Sequence, residues 1–429
     1  MHVLRRIPTD VLRRLLRLFG LRKDVPTKAQ RLAIAYHPER LKVAPDVAQR
    51  LHIPVRDTTP DLNERAAMQN LGQFLSRQDR WAELSAQAAR ADLSRAKTAG
   101  GMPVAELMLY GARADVVEAA AHALLHGAPA EDANLLHGIG ALEEVLSEHK
   151  SDYIIGLTVA LAHIDIAWAW RGSDPELEVA EANRTAFAAH FDRAAAILDR
   201  FCGLELDSPA LAAARCGLLP GSRDPHLRVA DDYEDLIDLD PHDPRHMRAM
   251  GNHLLPRWFG SYGQLDLEAR RTASRTGDIW GDGAYTWVYF DALTHDAGAC
   301  ANVDADFFID GLRDILHRRP DQATANLLAA YCSIAVGDQL GLQDAGDLTR
   351  SRIAACADWI IRDHMTELHP LIWAHAADGF DNAARIPSMR RFAQRGRADA
   401  YRVLGRMFRD EIARGEEITF TAQGPRITA

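Results

Sequence analysis

The amino-acid sequence predicts an all-α protein in which antiparallel helix pairs stack side by side as an α-solenoid. From residue 61 to residue 414, apolar residues recur every three to four positions, and the alternation typical of strands is rare. Proline repeatedly stands where a helix would begin, as in Asp174-Pro175 and Asp243-Pro244, where its missing N–H is harmless. A chain of 429 residues, 47% of them hydrophobic, exceeds the usual size of a single core, so we expect stacked repeats or several domains.

Residues 1–60 are predicted to form a basic extension that is interrupted by prolines. The segment Thr9 to Phe19 has the pattern of a short amphipathic helix, with Val11, Leu15 and Leu18 on one face and arginines on another. Five prolines divide residues 25–60 into short helices and turns. Residues 1–56 contain 13 Lys and Arg against 4 Asp and Glu, whereas residues 57–429 carry a net charge of −19. We therefore expect the extension to pack on the acidic body or to project from it.

Residues 61–415 are predicted to form the helical body, with the clearest repeat-like part at 150–380. The helices expected in this body are Leu62–Leu75, Arg80–Lys97, Val104–Tyr110, Ala114–His126, Ala130–Leu146, Asp152–Trp170, Pro175–Phe201, Pro209–Leu218, Leu227–Leu236, Pro244–Leu254, Tyr262–Thr276, Gly283–Thr294, Ala305–His317, Gln322–Val336, Ala345–Met365, Pro370–Ala377 and Arg395–Arg414. Residues 416–429 are expected to be an extended tail. Within it, Ile418 to Phe420 has the composition of one short strand or of an extended arm.

Several segments of the body resemble the tetratricopeptide repeat. Leu327, Leu328 and Tyr331 stand at the spacing of the Leu, small residue and Tyr of such a repeat's first helix, with Leu328 where Gly is usual. Phe187–Gly221 looks like another such helix pair, and two further stretches are similar to bacterial tetratricopeptide-like proteins: Ile166–Gly172 and Leu254–Ser261. The resemblance covers residues 150–380. It implies a right-handed superhelix that binds a protein or peptide in its groove and performs no chemistry.

The cysteines and the apolar segments indicate a cytoplasmic protein. The five cysteines are scattered without CxxC spacing, which is typical of a reducing compartment. No secretory signal follows Arg5 and Arg6. The longest apolar stretch, Tyr153 to Trp170, is interrupted by His163 and Asp165 and has the pattern of a buried helix.

The 18 histidines raise the question of a metal centre. Glu118, His122 and His126 fall at i, i+4 and i+8 of one predicted helix, a spacing that can chelate a metal. His295-Asp296 has the His-Asp pair of metal-dependent phosphohydrolases, whose chemistry needs further His and Asp side chains on other helices. The alternative is an exposed helix face with histidines at helix ends, and we favour it. We therefore predict no metal site and no cofactor.

A second cluster follows an acidic run. Asp231 to Asp240 leads into the segment His242-Asp243-Pro244-Arg245-His246. An EF-hand needs oxygen ligands at alternating positions and a central glycine, and this run has neither. We interpret it as a solvated acidic helix followed by a helix–helix loop that is capped by Asp243.

The most informative stretch for binding is aromatic and basic. Eight aromatic residues fall between positions 258 and 290, with Arg257 just before them and three further arginines among them, and these residue types dominate binding hot spots. Packing between helices is the alternative for each aromatic taken alone. We predict that a groove is lined by residues from the set Arg257, Trp258, Tyr262 and Trp280.

No catalytic motif is present. The sequence lacks GxSxG, GxGxxG and the P-loop pattern, and no cysteine has a recognisable catalytic context. The first hypothesis is therefore a non-enzymatic scaffold or adaptor that binds a protein or peptide. The alternatives are an all-helical metal-dependent hydrolase and a membrane-peripheral adaptor that uses residues 9–19. The acidic body argues against nucleic acid, and the sequence leaves the oligomeric state open.

Overall fold

The computed structural model describes residues 42–57, 59–125, 136–172, 179–378 and 388–429, and within these ranges the protein is mostly helical. The prediction of a helical protein is thereby confirmed. The amphipathic helix expected at Thr9–Phe19, and His126 among the metal candidates, lie outside the described residues.

Helices follow one another along the described chain, and short strands lie near its two ends. Up to residue 217 the elements are α1 (Pro45–Arg50), β1 (Leu51–His52), α2 (Pro60–Arg77), α3 (Trp81–Leu93), α4 (Val104–Leu125), α5 (Gly138–Glu148), α6 (Tyr153–Arg171), α7 (Glu181–Leu198) and α8 (Pro209–Gly217). From residue 229 they are α9 (Val229–Leu239), α10 (Pro244–His253), α11 (Tyr262–Arg275), α12 (Gly277–Trp280), α13 (Gly283–His295), α14 (Ala297–Asn302), α15 (Ala305–Arg318), α16 (Gln322–Ala330), α17 (Asp347–His364), α18 (Pro370–Asp378), α19 (Met389–Met407), α20 (Arg409–Ala413), β2 (Glu417–Thr421) and β3 (Gly424–Thr428).

Many helices begin where a side chain caps the first turn. Asp152 accepts the amide protons of Ile154 and Ile155 at the start of α6, and Asp243 accepts that of Arg245 at the start of α10. Pro244 occupies the first turn of α10, as the Asp-Pro pattern predicts. These local signals explain why the starts predicted at Pro209, Pro244, Tyr262, Ala305 and Gln322 agree with the structure, whereas α19 begins at Met389 and not at the predicted Arg395.

Helix α4 continues through a region that the sequence predicts as two helices, Val104–Tyr110 and Ala114–His126. Gly111 lies between them, and a Cβ there would stand 1.9 Å from the carbonyl oxygen of Gln69 in α2. A Cβ on Gly72 of α2 would stand equally close to the carbonyl oxygen of Met108 in α4. The glycine therefore permits backbone contact between two helices and does not end one.

The buried apolar side chains form two cores. The first belongs to α2–α7, which we call the N-terminal lobe, and contains Leu84, Leu157 and Phe191. The second belongs to α9 through β3, the C-terminal lobe, and contains Tyr285, Phe290 and Trp373. Helix α8 contributes to both: Leu211 and Ala214 pack in the first core, and Ala212 and Cys216 in the second. This helix therefore joins the lobes.

A three-stranded sheet, which the sequence does not predict, closes the C-terminal lobe. Strand β1 pairs parallel to β2, with Leu51 opposite Ile418, and β2 and β3 form an antiparallel hairpin. The Arg50 side chain also donates to the carbonyl oxygen of Gly415. The tail expected to be one strand or an arm is thus a hairpin, and residues 42–57 pack against the C-terminal lobe. Ile418 is 367 positions from Leu51, so nothing in the sequence near either residue indicates that they pair.

Helix α6 is long and apolar enough to cross a membrane, by length and composition alone. In the structure, however, 67% of its apolar window is buried inside the protein. Its buried residues, among them Leu157, Val159 and Ala160, belong to the core of the N-terminal lobe. This agrees with the buried helix predicted for Tyr153 to Trp170.

Candidate functional site

A cavity of about 320 Å³ lies between the two lobes. Helices α3, α4 and α6 line it from the N-terminal lobe, and α9 and α10 from the C-terminal lobe, with α8 along its wall. We call it the interlobe cavity. Its volume is within the range of small-molecule sites.

The wall of the interlobe cavity is built mainly from small and aliphatic side chains. Leu109, Leu161 and Ile164 contribute the larger apolar surfaces. Alanines from four helices supply much of the remainder, namely Ala91, Ala105, Ala210, Ala213, Ala214 and Ala249. Each of these positions carries only a methyl group, which leaves space between the helices.

One end of the cavity carries ion pairs that join the lobes. The Lys97 ammonium, in the α3–α4 connection, donates to Asp240 at 2.8–2.9 Å. Arg245 of α10 donates to Asp243 at 2.9 Å and, across the lobe boundary, to Glu106 of α4 at 2.9 Å. We call Lys97, Glu106, Asp240, Asp243 and Arg245 the interlobe ion network. These contacts hold α10 and the end of α9 against the N-terminal lobe.

Three side chains near the network have the spacing of a metal site. One ligand atom from each of Asp240, Asp243 and His246 lies within 4.8 Å of the other two. Their carboxylates, however, already bind cations. Both oxygens of Asp240 are within 2.9 Å of Lys97 Nζ, and both oxygens of Asp243 accept from Arg245. A metal ion would have to displace the lysine and compete with the guanidinium, so the donor set fits a salt-bridge network better than a metal centre.

The same cations shift the acidity of the two carboxyl groups. Burial favours the neutral form of Asp240, but His246 and Lys97 outweigh it and lower its pKa. Burial likewise opposes ionisation of Asp243, and Arg245 and His246 together lower its pKa to about 2. Both groups are thus held as carboxylates, and neither has the raised pKa of a general acid.

The cavity offers no activated nucleophile among the described residues. Cys216 lines it, but burial raises the pKa of the thiol far above its usual value. Burial also raises the pKa of Tyr233, another lining residue. A thiolate is the reactive form of cysteine, so this chemistry indicates binding and not nucleophilic catalysis.

The four residues predicted to line a groove have different environments. Arg257 and Trp258 are exposed in the α10–α11 connection, with 40% of Trp258 accessible. Tyr262 is half-buried, and its hydroxyl donates to Asp296 at 2.9 Å. Trp280 is only 2% exposed and donates from Nε1 to the carbonyl oxygen of Pro241 at 2.7 Å. The structure therefore places Arg257 and Trp258 together on the surface, whereas Trp280 is a core residue.

The Trp258 ring rests on two other rings. Its centroid lies 5.7 Å from that of His253 and 5.5 Å from that of Phe259. The Nδ1 atom of His253 is 3.0 Å from the Tyr233 hydroxyl. The indole is consequently held in place while 40% of Trp258 stays accessible.

Acidification is expected to destabilise the protein through His253. Burial lowers the pKa of this imidazole to about 4, against about 6.5 for a solvated histidine. Its contribution is therefore complete above pH 6.5 and is lost as the pH falls toward 4. Urea unfolding at pH 7 and pH 4.5 measures the prediction. Between these two pH values, the free energy of unfolding of His253→Gln should fall by about 2 kcal/mol less than that of the wild type. His226→Gln, which replaces an exposed histidine, is the control and should lose as much stability as the wild type. If His253→Gln lost as much stability as the wild type, His253 would not be the source of the acid sensitivity.

The metal candidates from the sequence do not converge in the described part of the chain. Glu118 and His122 are exposed on α4. Asp296 caps α14 by accepting the amide protons of Gly298 and Ala299, and it also accepts the Tyr262 hydroxyl. His163, a possible partner of the His-Asp pair, lies 2.9 Å from Glu143 and 2.8 Å from His190.

Lys97 and Arg113 are among the cavity residues that were not singled out from the sequence. Arg113 had a signal, because it interrupts the apolar run of α4 between Ala112 and Ala114. Lys97 had none, since its role depends on Asp240, 143 positions later. No protein-family model matches the chain, and no curated protein or solved structure matches it either.

Proposed function

We propose that this protein is a non-enzymatic, cytoplasmic scaffold or adaptor that binds a protein or peptide partner. In this proposal the helix pairs form a tetratricopeptide-like superhelix, and the partner docks on Pro256, Arg257 and Trp258, which we call the Trp258 edge. The observation that carries it is the exposed Trp258 ring, held by His253 and Phe259 beside an exposed arginine.

The chemistry of the Trp258 edge suits protein recognition. Tryptophan and arginine are enriched among hot-spot residues, because they combine a large contact area with directional polar groups. An indole that is already fixed loses little side-chain entropy on binding. Arg257 adds a charge that favours an acidic or carbonyl-rich partner surface.

The packing of consecutive helices supports the repeat-like part of the proposal. Helix α6 packs against α7, α16 against α17, and α18 against α19. Such neighbouring pairs are the units from which helical-repeat arrays are built. The five cysteines are free thiols, which agrees with a reducing compartment.

The double variant Arg257→Ala/Trp258→Ala is expected to lose partner binding without losing stability. Affinity capture with the wild-type chain identifies the partner, and titration of the purified partner then gives Kd for each variant. We expect Kd to rise at least about 30-fold, the effect of removing two hot-spot side chains.

A matched control is Arg223→Ala/Leu227→Ala, which removes an exposed arginine and an exposed apolar residue from the α8–α9 connection. This control should bind the partner like the wild type and melt at the same temperature. Equal partner affinity in wild type and Arg257→Ala/Trp258→Ala would overturn the Trp258 edge as the docking surface.

A further inference from the structure

The interlobe cavity is separate from the Trp258 edge and has its own chemistry. Its apolar wall continues from Leu109 of α4 to Ala213 of α8 and Ala249 of α10. An apolar cavity of this size is destabilising when unfilled, because the surrounding side chains lose their packing partners. A ligand with an apolar body would restore those contacts.

A buried cation lines the cavity with part of its hydrogen-bonding capacity unused. Arg113 of α4 is 7% exposed, and its Nε donates to Asp165 of α6 at 2.6 Å. Its Nη1 atom is buried and has no hydrogen-bond partner among the described residues. A buried guanidinium nitrogen without a partner is costly, and an anionic oxygen is the group that satisfies it best.

The other charged groups of the cavity leave Arg113 as the place for an anion. Lys97 and Arg245 are already paired with Asp240 and Asp243, so the positive charges at that end of the cavity are neutralised. Arg95 donates to Asp207 and to the carbonyl oxygen of Leu239. Glu106 and Asp92 also line the wall, so an anionic group is best placed beside Arg113, whose Nη1 atom has no hydrogen-bond partner among the described residues.

The distance between the polar ends suits an elongated ligand. Glu106, at the ion-network end, and Arg113 lie seven residues apart on α4, which corresponds to about 10 Å along the helix. At the ion-network end, His246 is 8% exposed and lines the cavity, and its Nε2 atom has no hydrogen-bond partner among the described residues, although it lies 3.8 Å from Asp243 and 3.9 Å from Asp240. The apolar alanine wall lies alongside this span.

We infer that the interlobe cavity binds a small amphipathic carboxylate, with the carboxylate on Arg113 and the aliphatic chain against the alanine wall. The ligand class is that of a medium-chain fatty acid. Binding joins α4 of the N-terminal lobe to α8 and α10, so the ligand stabilises the arrangement of the two lobes.

Calorimetric titration with decanoate, decanol and decylamine tests the inference on the wild-type protein. Decanoate is expected to bind saturably with one molecule per chain. Decanol should bind at least about tenfold more weakly than decanoate, because it cannot form a charge-assisted hydrogen bond with Arg113. Decylamine should not bind. Equal affinity for decanoate and decanol, or no saturable decanoate binding, would overturn the inference.

Two variants with matched controls separate the head-group site from the chain site. Arg113→Gln should reduce the affinity for decanoate to that for decanol, whereas Arg77→Gln, which removes an exposed arginine of α2, should leave both unchanged. Ala213→Leu should fill the space beside the wall and abolish decanoate binding, whereas Ala82→Leu on the exposed face of α3 should not.

Thermal melting with and without decanoate gives a second readout. Decanoate should raise Tm of the wild type and of the controls Arg77→Gln and Ala82→Leu, and should not raise Tm of Ala213→Leu. Undiminished binding by Ala213→Leu would refute the cavity as the site.

Discussion

With Arg245 replaced by Met, the free energy of unfolding is expected to fall by about 3 kcal/mol, because the Asp243 carboxylate remains buried without its main counter-charge. The Asp243 side chain is fully inaccessible and accepts from the Arg245 guanidinium at 2.9 Å. The next nitrogen atoms, Lys97 Nζ and His246 Nε2, are 3.9 Å and 3.8 Å from it, too far for a hydrogen bond. Urea unfolding at pH 7 measures the loss.

The pH dependence of this loss follows from the acidity of Asp243. Arg245 and His246 overcome the effect of burial and lower the pKa of Asp243 to about 2. A lowered carboxyl pKa stabilises the folded state above pH 4, and this contribution disappears as the pH falls toward 2. The deficit of Arg245→Met should therefore be largest near neutrality and should shrink below pH 4.

Two further variants define the origin of the effect. Arg245→Met combined with Asp243→Asn should regain most of the lost stability, because no charge is left behind and asparagine still caps α10. Arg228→Met removes an exposed i, i+4 pair with Asp232 on α9 and should cost less than about 0.5 kcal/mol. If the double variant were as unstable as the single one, the isolated carboxylate would not be the cause.

Gly251→Ala is expected to destabilise the protein by about 3 kcal/mol, although alanine is the better helix former. Gly251 lies in α10, and a Cβ at this position would stand 1.7 Å from the carbonyl oxygen of Val288 in α13. Backbone atoms cannot yield as a side chain can, so α10 and α13 would have to separate. The gain of about 1 kcal/mol in helix propensity is smaller than that cost.

The matched control has the opposite sign. Gly263 lies in α11, and a Cβ there would have no neighbour within 4 Å. Gly263→Ala should therefore stabilise the protein by about 0.5–1 kcal/mol through helix propensity alone. Thermal and urea unfolding of both variants measure the two changes in stability. Equal changes for Gly251→Ala and Gly263→Ala would contradict the close contact of α10 and α13.

The helices could be predicted because their signals are local. The apolar period of three to four residues and the capping of α10 by Asp243 both lie within a few positions of the structure they predict. Gly111 shows where a local signal misleads. The same residue that interrupts a helix in one context permits two helices to touch in another.

The predicted binding groove stays a prediction. Arg257 and Trp258 are exposed, but nothing near Trp280 in the sequence shows that its indole is enclosed and bonded to Pro241. An aromatic residue has the same local pattern in a core and at a surface. Burial depends on what the rest of the chain places over it.

From the sequence alone followed the helical class, most helix positions and the uneven distribution of charge, since each depends on composition or on neighbours a few residues apart. Tertiary structure alone decided the pairing of Leu51 with Ile418, the meeting of Lys97 with Asp240 and the cavity between the lobes. The physical reason is that these contacts join residues more than a hundred positions apart, and only the packing of two cores around α8 brings them together.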